Sequence, residues 1–412
     1  MGWAGRGLVA ALLAGCLVAF VSLAAAAQQQ IVFGFKGSLA ELEIAQEIVR
    51  RFNAAQDDIE VVILNMAGAG VSWPERLTTL FAGGAAPDVI RMEYQRSYPF
   101  IKEDLLLPLD EFIARDPSFH IDDFFPVAIE AHTVDGHVYG IPQEAQPFTV
   151  FVNTRRLDEA GLAFPPHDWD MDSFVEIARR TRVVDHESKV VHYGWQLETS
   201  LTRFAPFLYA FGADFVSPDR TAFAITSPQM IEALEYLQRA YLETGVIGGS
   251  FQAGQSTLYL GGPWMVPGFR DQLADVSWDI MPVPGGPGGR GTTLGSDAYH
   301  ISKQSSSPEL AWEFIKYITS EESLSLMAEG GSIVPARRDL AHHYITRASE
   351  LPPHNLEAYL VGLEIARPTP MIRNFFDVAR ILEPAWLEVV QGKYDAARRM
   401  EEILPQLVGL LE

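Results

Sequence analysis

The chain has 412 residues, of which 48% are hydrophobic and 20% are charged, so it is long enough to form two domains of ordinary size. Its 53 acidic residues outnumber its 31 basic residues, which gives a formal charge of −22 at pH 7. A surface of that charge repels nucleic acids and anionic lipid head groups, so we exclude both as expected partners. Cys16 is the single cysteine of the sequence, which rules out an intramolecular disulfide.

The first 27 residues have the pattern of an export signal. Arg6 is followed by an apolar stretch that contains no charged residue before Lys36, and this stretch ends in the small residues Ala25-x-Ala27. Cleavage at that point predicts a periplasmic or other extracytoplasmic protein of 412 − 27 = 385 residues. Two alternatives remain open. Residues 13–16 (LAGC) also fit a lipobox, in which the cysteine would carry a lipid anchor, and about 20 apolar residues can span a membrane.

Strands and helices alternate in the first part of the mature chain. The predicted strands cover residues 31–35, 59–64 and 88–92, and the predicted helices cover residues 38–52 and 74–81. The first helix begins with Ser38 and Glu41 at the spacing of a capping box. This order predicts an α/β fold with a mainly parallel sheet covered by helices on both faces. Because ligands of such sheets bind beyond the carboxyl ends of the strands, we expect residues 36–39 and 93–95 to lie at a binding site.

The later part of the chain continues the alternation. Ser227-Pro228 and Ser307-Pro308 each begin a stretch with apolar residues at helical spacing, which predicts two further helices. Residues 282–291 (PVPGGPGGRG) form a predicted loop. They are not a phosphate-binding loop, because no Gly-Lys-Ser/Thr follows them.

Five segments occur in the order that is typical of one class of binding protein. They are residues 31–35 (IVFGF), 86–90 (APDVI), 139–142 (YGIP), 251–264 (FQAGQSTLYLGGPW) and 311–317 (AWEFIKY). Together they resemble the extracellular solute-binding proteins that supply carbohydrate-uptake ABC transporters, a family that includes maltose- and trehalose-binding proteins. The resemblance extends over essentially the whole mature chain.

This resemblance implies a two-lobed periplasmic-binding-protein fold of type II, in which discontinuous domains are joined by a hinge. The chain would cross between the lobes near Gln146, near Asp297 and near Pro335. Residues 28–146 and 297–334 would then form the N-terminal lobe, and residues 147–296 and 335–412 would form the C-terminal lobe.

Sugar recognition requires aromatic faces for the C–H side of the ring. Trp264 is the leading candidate, because Gly261, Gly262 and Pro263 precede it and favour its presentation to a cleft. The resemblance also implies that a tryptophan in this context stacks on sugar. Trp195 and Trp73 are further candidates, and each could equally be a core residue. Trp169 is a weaker one, in a Pro-rich helix entry.

The hydroxyl groups of a sugar require planar polar side chains. Glu93 follows a predicted strand, and Glu41 lies near the start of the first predicted helix, where its capping role is an adequate structural explanation. At the implied crossings lie Gln146, with Gln143 and Glu144 beside it, and Asp297. The resemblance also implies a role for an arginine before proline, here Arg367. The expected ligand-binding residues are therefore Trp264, Arg367, Glu93, Glu41, Gln146, Asp297, Trp195 and Trp73.

The expected function is the capture of a mono- to oligosaccharide, with a disaccharide favoured, and its delivery to the permease subunits of an ABC transporter. We expect a monomer that has no catalytic residue, cofactor or metal. The sequence has no H-E-x-x-H, G-x-S-x-G, Walker A or C-x-x-C motif. The alternatives are a binder of a polyol or a glycerophosphodiester-type ligand, a sensor subunit, and a secreted carbohydrate-active hydrolase that uses two of the 53 acidic residues.

Overall fold

The computed structural model describes residues 28–67, 72–244, 247–329, 331–346 and 350–411. The export signal predicted for residues 1–27, with Cys16, lies outside the described residues. Within them, we find no helix that combines the length and the apolar character needed to cross a membrane.

Strands and helices alternate through the described part of the chain. The strands are β1 (Gln29–Phe35), β2 (Ile59–Asn65), β3 (Val89–Glu93), β4 (Thr133–Val134), β5 (His137–Val138), β6 (Ile141–Pro142), β7 (Gln146–Pro147), β8 (Thr149–Asn153), β9 (Val183–Val184), β10 (Val190–Gln196), β11 (Ser256–Gly261), β12 (Trp278–Met281), β13 (Thr292–Gly295), β14 (Asp297–Ile301) and β15 (Ala366–Arg367). The helices are α1 (Leu39–Ala55), α2 (Trp73–Ala82), α3 (Tyr94–Lys102), α4 (Asp110–Arg115), α5 (Pro126–Ala131), α6 (Thr154–Glu159), α7 (Met171–Thr181), α8 (Leu201–Tyr209), α9 (Pro228–Thr244), α10 (Val266–Gln272), α11 (Pro308–Ile318), α12 (Glu321–Glu329), α13 (Arg338–Thr346), α14 (Glu357–Ile365), α15 (Phe375–Val390) and α16 (Ala396–Leu407).

The first large sheet has the strand order β2-β1-β3-β14-β6. β1 pairs in parallel with β2 and β3, whereas β14 runs antiparallel to both β3 and β6. β6 therefore points in the same direction as β1, β2 and β3, and the prediction of a mainly parallel sheet is correct, with β14 as the exception. The reason for this exception is that β14 enters this sheet from the second part of the chain and in the opposite direction.

Helix α1 begins where the capping-box pattern predicted. The Ser38 side chain accepts a hydrogen bond from the Glu41 backbone N–H, and the Glu41 side chain accepts one from the Ser38 N–H. Two of the otherwise unpaired donors of the helix end are thereby satisfied. Further along, Phe52 packs on Phe314 of α11, with 5.3 Å between the ring centroids, which fixes α1 and α11 on the same side of the first sheet.

The second large sheet has the strand order β12-β8-β11-β10-β9. β10 and β11 are parallel, and the other neighbours are antiparallel. Helices α7, α8, α9, α15 and α16 contribute to its core, and the two sheets thus form the centres of two lobes.

A small three-stranded sheet, β15-β13-β7, contains two of the connections between the lobes. Along the chain, β7 connects β6 of the first sheet to β8 of the second. In the same way, β13 connects β12 of the second sheet to β14 of the first. Gln146 begins β7 and Asp297 begins β14. Gln146 therefore lies on a strand of the small sheet, and Asp297 lies on the first-sheet strand that follows β13.

The third crossing, expected near Pro335, stays a prediction, and Pro335 itself bridges to Glu144 beside the first crossing. The Ala336 backbone N–H donates to the Gln143 carbonyl, and the Phe125 N–H donates to the Ala336 carbonyl, so this segment still lies on the first-sheet side. Contact with the second lobe is made at Pro352, whose carbonyl accepts a hydrogen bond of 2.8 Å from Arg270 of α10.

Candidate ligand-binding site

Three charged side chains meet where β1 and β3 end and β14 begins. Asp297 pairs directly with Glu93 in the antiparallel register of β14 and β3. Lys36 follows β1, and its Nζ lies 2.5 Å from Oε1 of Glu93 and 3.5 Å from Oδ2 of Asp297. The prediction that residues 36 and 93 lie at one edge of the sheet is confirmed, because parallel neighbouring strands bring their carboxyl ends together.

Arg91 connects this group to a second layer of carboxylates. Its guanidinium lies 2.9 Å from Asp297, 3.0 Å from Glu41 and 4.0 Å from Glu144, and the residue is 4% exposed. Burial opposes the charge of Arg91, but the three carboxyl groups outweigh it and raise its pKa. Glu41 therefore has two roles, as a capping residue and as a partner of Arg91.

Glu144 and Asp297 are two buried carboxyl groups whose pKa values shift in opposite directions. Burial, reinforced by the negative charge of Asp297, raises the pKa of Glu144 to about 8. Burial also opposes the charge of Asp297, but Lys36 and Arg91 overcome it and hold the pKa of Asp297 below its usual range. Burial thus favours the neutral form of Glu144, whereas the two cations favour the charged form of Asp297.

Hydrogen bonds hold Glu144 in place at the connection between the sheets. The Asp297 N–H donates to Oε1 of Glu144 at 3.2 Å, and Gln143 Nε2 donates to its Oε2 at 2.5 Å. The Tyr299 hydroxyl donates to Gln143 Oε1, also at 2.5 Å. Gln143 and Glu144 are therefore part of a connected network that includes Asp297, whereas Gln146 is outside it.

Trp264 lies on the second-lobe side of the candidate site, in a 3₁₀ turn formed by Pro263–Met265. It is 39% exposed, and its ring centroid lies 5.1 Å from that of Phe148 at an interplanar angle of 74°. A Cβ on Gly295 would come within 3.3 Å of the indole, and one on Gly262 would overlap it at 1.9 Å. Gly262, one of the residues that made Trp264 a candidate, and Gly295 of β13 thus leave room for the indole ring.

Trp73 lies beside Lys36 and Glu93. Its ring centroid is 5.8 Å from Lys36 Nζ and 5.7 Å from the guanidinium carbon of Arg96, and Arg96 Nε is 3.3 Å from Glu93 Oε2. The same guanidinium lies 3.8 Å from the ring centroid of Phe376, at the start of α15. The structure therefore brings Trp73 together with the charged group at the sheet edge.

Gln146 and Arg367 belong to the small connecting sheet. Gln146 is buried, pairs with Gly295, and has no described hydrogen-bond partner for its Oε1. Arg367 is exposed, and its guanidinium carbon lies 4.1 Å from the ring centroid of Tyr209. Its described contacts are thus with a second-lobe aromatic residue rather than with Glu93.

Trp195 does not belong to this site. It has no exposed surface, and its ring lies 5.0 Å from that of Phe174 and 4.8 Å from that of Phe207. Helix α7 packs on β10 and covers Trp195, so we correct the expectation of a ligand contact. Trp169 is also buried and donates from Nε1 to the Pro282 carbonyl at 2.8 Å.

Three further residues lie at the candidate site and were not predicted from the sequence: Arg91, Phe148 and Phe376. Arg91 had a detectable signal, because an arginine inside the apolar strand V-I-R-M-E must either face solvent or find a buried partner. No feature of the sequence indicated that Phe376 would be exposed beside the buried Phe375. Among the described residues, no group of three or more His, Cys, Asp and Glu side chains is suited to hold a metal ion.

Comparisons with known proteins agree on one family and one fold. The model of a family described as bacterial extracellular solute-binding protein matches residues 36–324. A galactooligosaccharide-binding protein of Bacillus subtilis is 23% identical over 352 residues, which cover 80% of this chain and 78% of that protein.

Two solved structures have a similar overall fold. An ABC substrate-binding protein of Listeria monocytogenes in complex with cycloalternan has a TM-score of 0.80 at 21% identity, over 92% of this chain and 98% of that chain. The sugar-binding protein MalE of Xanthomonas citri has a TM-score of 0.79 at 20% identity, over 93% of this chain and 97% of that chain. These likenesses confirm the two-lobed periplasmic-binding-protein fold of type II.

Proposed function

We propose that this chain, which belongs to the family of bacterial extracellular solute-binding proteins, captures a sugar between its two lobes and delivers it to the permease of an ABC transporter. One observation carries the proposal. Ion-paired carboxylates lie at the edge of the first sheet, and a partly exposed tryptophan lies against the small sheet that connects the lobes. Fixed carboxylates accept hydrogen bonds from hydroxyl groups, and the indole offers a face to the C–H side of a ring.

The ligands of several relatives support a saccharide ligand for this chain. A Bacillus subtilis relative is a maltodextrin-binding protein, and structural neighbours were solved with maltose and maltotetraose. Our proposal for this chain is a mono- to oligosaccharide, with a disaccharide favoured. The proposed ligand-binding residues are Trp264, Arg367, Glu93, Glu41, Gln146, Asp297 and Trp73.

The remaining parts of the proposal concern location and mechanism. The chain would be exported through its first 27 residues and act as an extracytoplasmic monomer. Sugar binding would close the lobes by a hinge motion through β7 and β13, and the closed form would bind the permease. Mass spectrometry of the mature N-terminus decides between cleavage after Ala27 and lipid attachment at Cys16.

A thermal-shift screen of the mature protein against a panel of sugars and polyols tests the ligand class. A ligand present at about 100 times its Kd should stabilise the folded protein by roughly 2.7 kcal/mol. Chromatography of the incubated ligand then tests for turnover, because a binding protein returns the sugar unchanged and a hydrolase does not. Stabilisation by a polyol or a glycerophosphodiester alone would contradict the sugar proposal.

Small-angle X-ray scattering tests the hinge. The radius of gyration should decrease when a ligand from the screen is saturating, because each lobe has its own sheet and the connections are few. An unchanged radius of gyration with independently confirmed binding would contradict closure.

A further inference from the structure

Arg96 covers one face of an aromatic ring that belongs to the opposite lobe. The guanidinium carbon lies 3.8 Å from the ring centroid of Phe376, which places it directly over the ring. Phe376 is 40% exposed, and its neighbour Phe375 contacts it edge-on at 80°. Arg96 therefore lies where another planar group would stack on Phe376.

The two residues are fixed in different lobes. Arg96 lies on α3, which follows Glu93 of the first sheet. Phe376 lies on α15, where Phe375 is buried in the core of the second lobe. Close by, the Thr369 N–H donates to the Tyr94 hydroxyl at 2.9 Å, so the lobes are already joined at this point. The contact of Arg96 with Phe376 thus lies beside a fixed connection.

The other contacts of Arg96 are weak enough to allow it to move. Its Nε lies 3.3 Å from Oε2 of Glu93, which is long for a charge-assisted hydrogen bond. The other oxygen of Glu93 accepts a hydrogen bond from Lys36 at 2.5 Å, so Glu93 keeps a partner when Arg96 leaves. The Trp73 ring, at 5.7 Å, lies near the limit of a cation–π contact.

We propose that Arg96 is an internal competitor for the ligand: it covers the face of Phe376, and a bound sugar ring displaces it and stacks there. A guanidinium group packs on an aromatic face through its plane and a pyranose ring through its C–H face, so one excludes the other. Arg96 then lowers the affinity for the ligand, because the contact between Arg96 and Phe376 must be broken before the sugar ring can stack on Phe376. The inference rests on the proposed function for the identity of the ligand.

The first experiment needs no ligand. Selective ¹⁵N labelling of arginine allows the Nε–H resonance of Arg96 to be assigned by its loss in Arg96→Ala. In the ligand-free protein this resonance should be shifted upfield by the ring current of Phe376 and should lose that shift in Phe376→Leu. Arg115, whose guanidinium lies 5.3 Å from the Phe112 ring within the first lobe, is the control and should not respond to Phe376→Leu. An Arg96 resonance that is unaffected by Phe376→Leu would overturn the proposal, whatever the protein binds.

The second experiment uses a sugar that the panel identifies for the wild type. Arg96→Ala should bind it about 2- to 30-fold more tightly, which corresponds to a cation–π contact of about 0.5–2 kcal/mol. Phe376→Ala should weaken binding, and adding Arg96→Ala to Phe376→Ala should give no gain. Arg115→Ala removes the same charge and should leave the affinity unchanged.

Unchanged or weaker binding by Arg96→Ala would overturn the proposal and make Arg96 an ordinary ligand contact. An Arg96 resonance that remains upfield at saturating sugar would overturn it as well. If no sugar binds the wild type, the proposed function fails, whereas the ligand-free resonance still decides whether Arg96 covers Phe376.

Discussion

The two sides of the site differ in kind. On the first-lobe side, Lys36 and Arg91 pair with carboxyl groups of the strands β3 and β14, and Arg91 also pairs with Glu41 at the start of α1. On the second-lobe side, Trp264 and Phe148 form an aromatic corner that is carried by a turn and a strand end. The ends of hydrogen-bonded strands hold polar groups in fixed directions, whereas a turn rich in glycine can present a large ring.

This difference suggests a division of labour. The charged side is largely buried and interconnected, so the loss of one partner would leave a buried charge unpaired and destabilise the fold. On the aromatic side Phe148 is buried but Trp264 is 39% exposed, and under the proposed function the loss of Trp264 would affect affinity more than stability. Substitutions on the two sides should therefore separate stability from affinity.

The largest effect is expected for Asp297→Ala. The change leaves Arg91 and Lys36 without the carboxylate that lies 2.9 and 3.5 Å from them. Removing one partner of a buried ion pair is strongly destabilising, and we expect the free energy of unfolding to fall by about 3–5 kcal/mol. Urea denaturation monitored by circular dichroism measures it.

Glu47→Ala is the matched control for this prediction. Glu47 bonds to Arg50 and Arg51 on the surface of α1, and exposed ion pairs of this kind contribute little to stability. If the two variants lost equal stability, the charged side of the site would not have the structural role assigned to it.

The second prediction concerns the pH dependence that Glu144 causes. Its pKa is raised by burial to about 8 in the folded protein, against an ordinary value of 4.5. Between these values the unfolded chain releases a proton that the folded protein keeps. Glu144 therefore makes the free energy of unfolding fall as pH rises, by at most about 1.4 kcal/mol per pH unit. Glu144→Gln should remove this contribution.

The measurement is the difference between variant and wild type in urea denaturation at pH 5, 6, 7 and 8. Taking the difference matters, because His132, His192 and His300 have pKa values lowered mainly by burial and act in the opposite direction. The stability of Glu144→Gln relative to the wild type should rise steadily with pH. The amide also offers one acceptor fewer to its donors, which adds an offset that does not depend on pH. A constant difference would mean that Glu144 is already ionised at pH 5.

The third prediction compares two tryptophans. Trp264→Ala should weaken sugar binding by roughly 1–3 kcal/mol and leave the melting temperature within a few degrees, because the ring is partly exposed. Isothermal titration calorimetry and thermal unfolding measure the two effects.

Trp195→Ala is the core counterpart and should cost about 3–5 kcal/mol of stability, because Trp195 is fully buried among Phe174 and Phe207. A Trp264→Ala variant that unfolds, or that binds as tightly as the wild type, would place Trp264 with Trp195 in the structural class.

The sequence predicted the local elements well and the long-range pairing less well. Ser38 and Glu41 correctly predicted the start of α1, because a capping box is a local hydrogen-bond pattern. The direction of β14 could not be read locally, since it depends on where a strand from the second part of the chain joins the sheet. Trp195 follows Gly194 and Trp264 follows Gly262-Pro263, so glycine lies close before both, and the burial of Trp195 under α7 could not be read from that pattern.

The smallest effect is expected from salt. The cations on the charged side are already paired with protein carboxylates, and buried pairs are screened little. A neutral sugar should therefore bind with an affinity that changes less than about twofold between 50 mM and 500 mM NaCl.

A steep loss of affinity would instead indicate an anionic ligand, and the exposed Arg367 would be its expected partner. In that case Arg367→Ala should abolish the salt dependence as well as weaken binding. For a neutral sugar, Arg367→Ala should reduce affinity by the same factor at both salt concentrations.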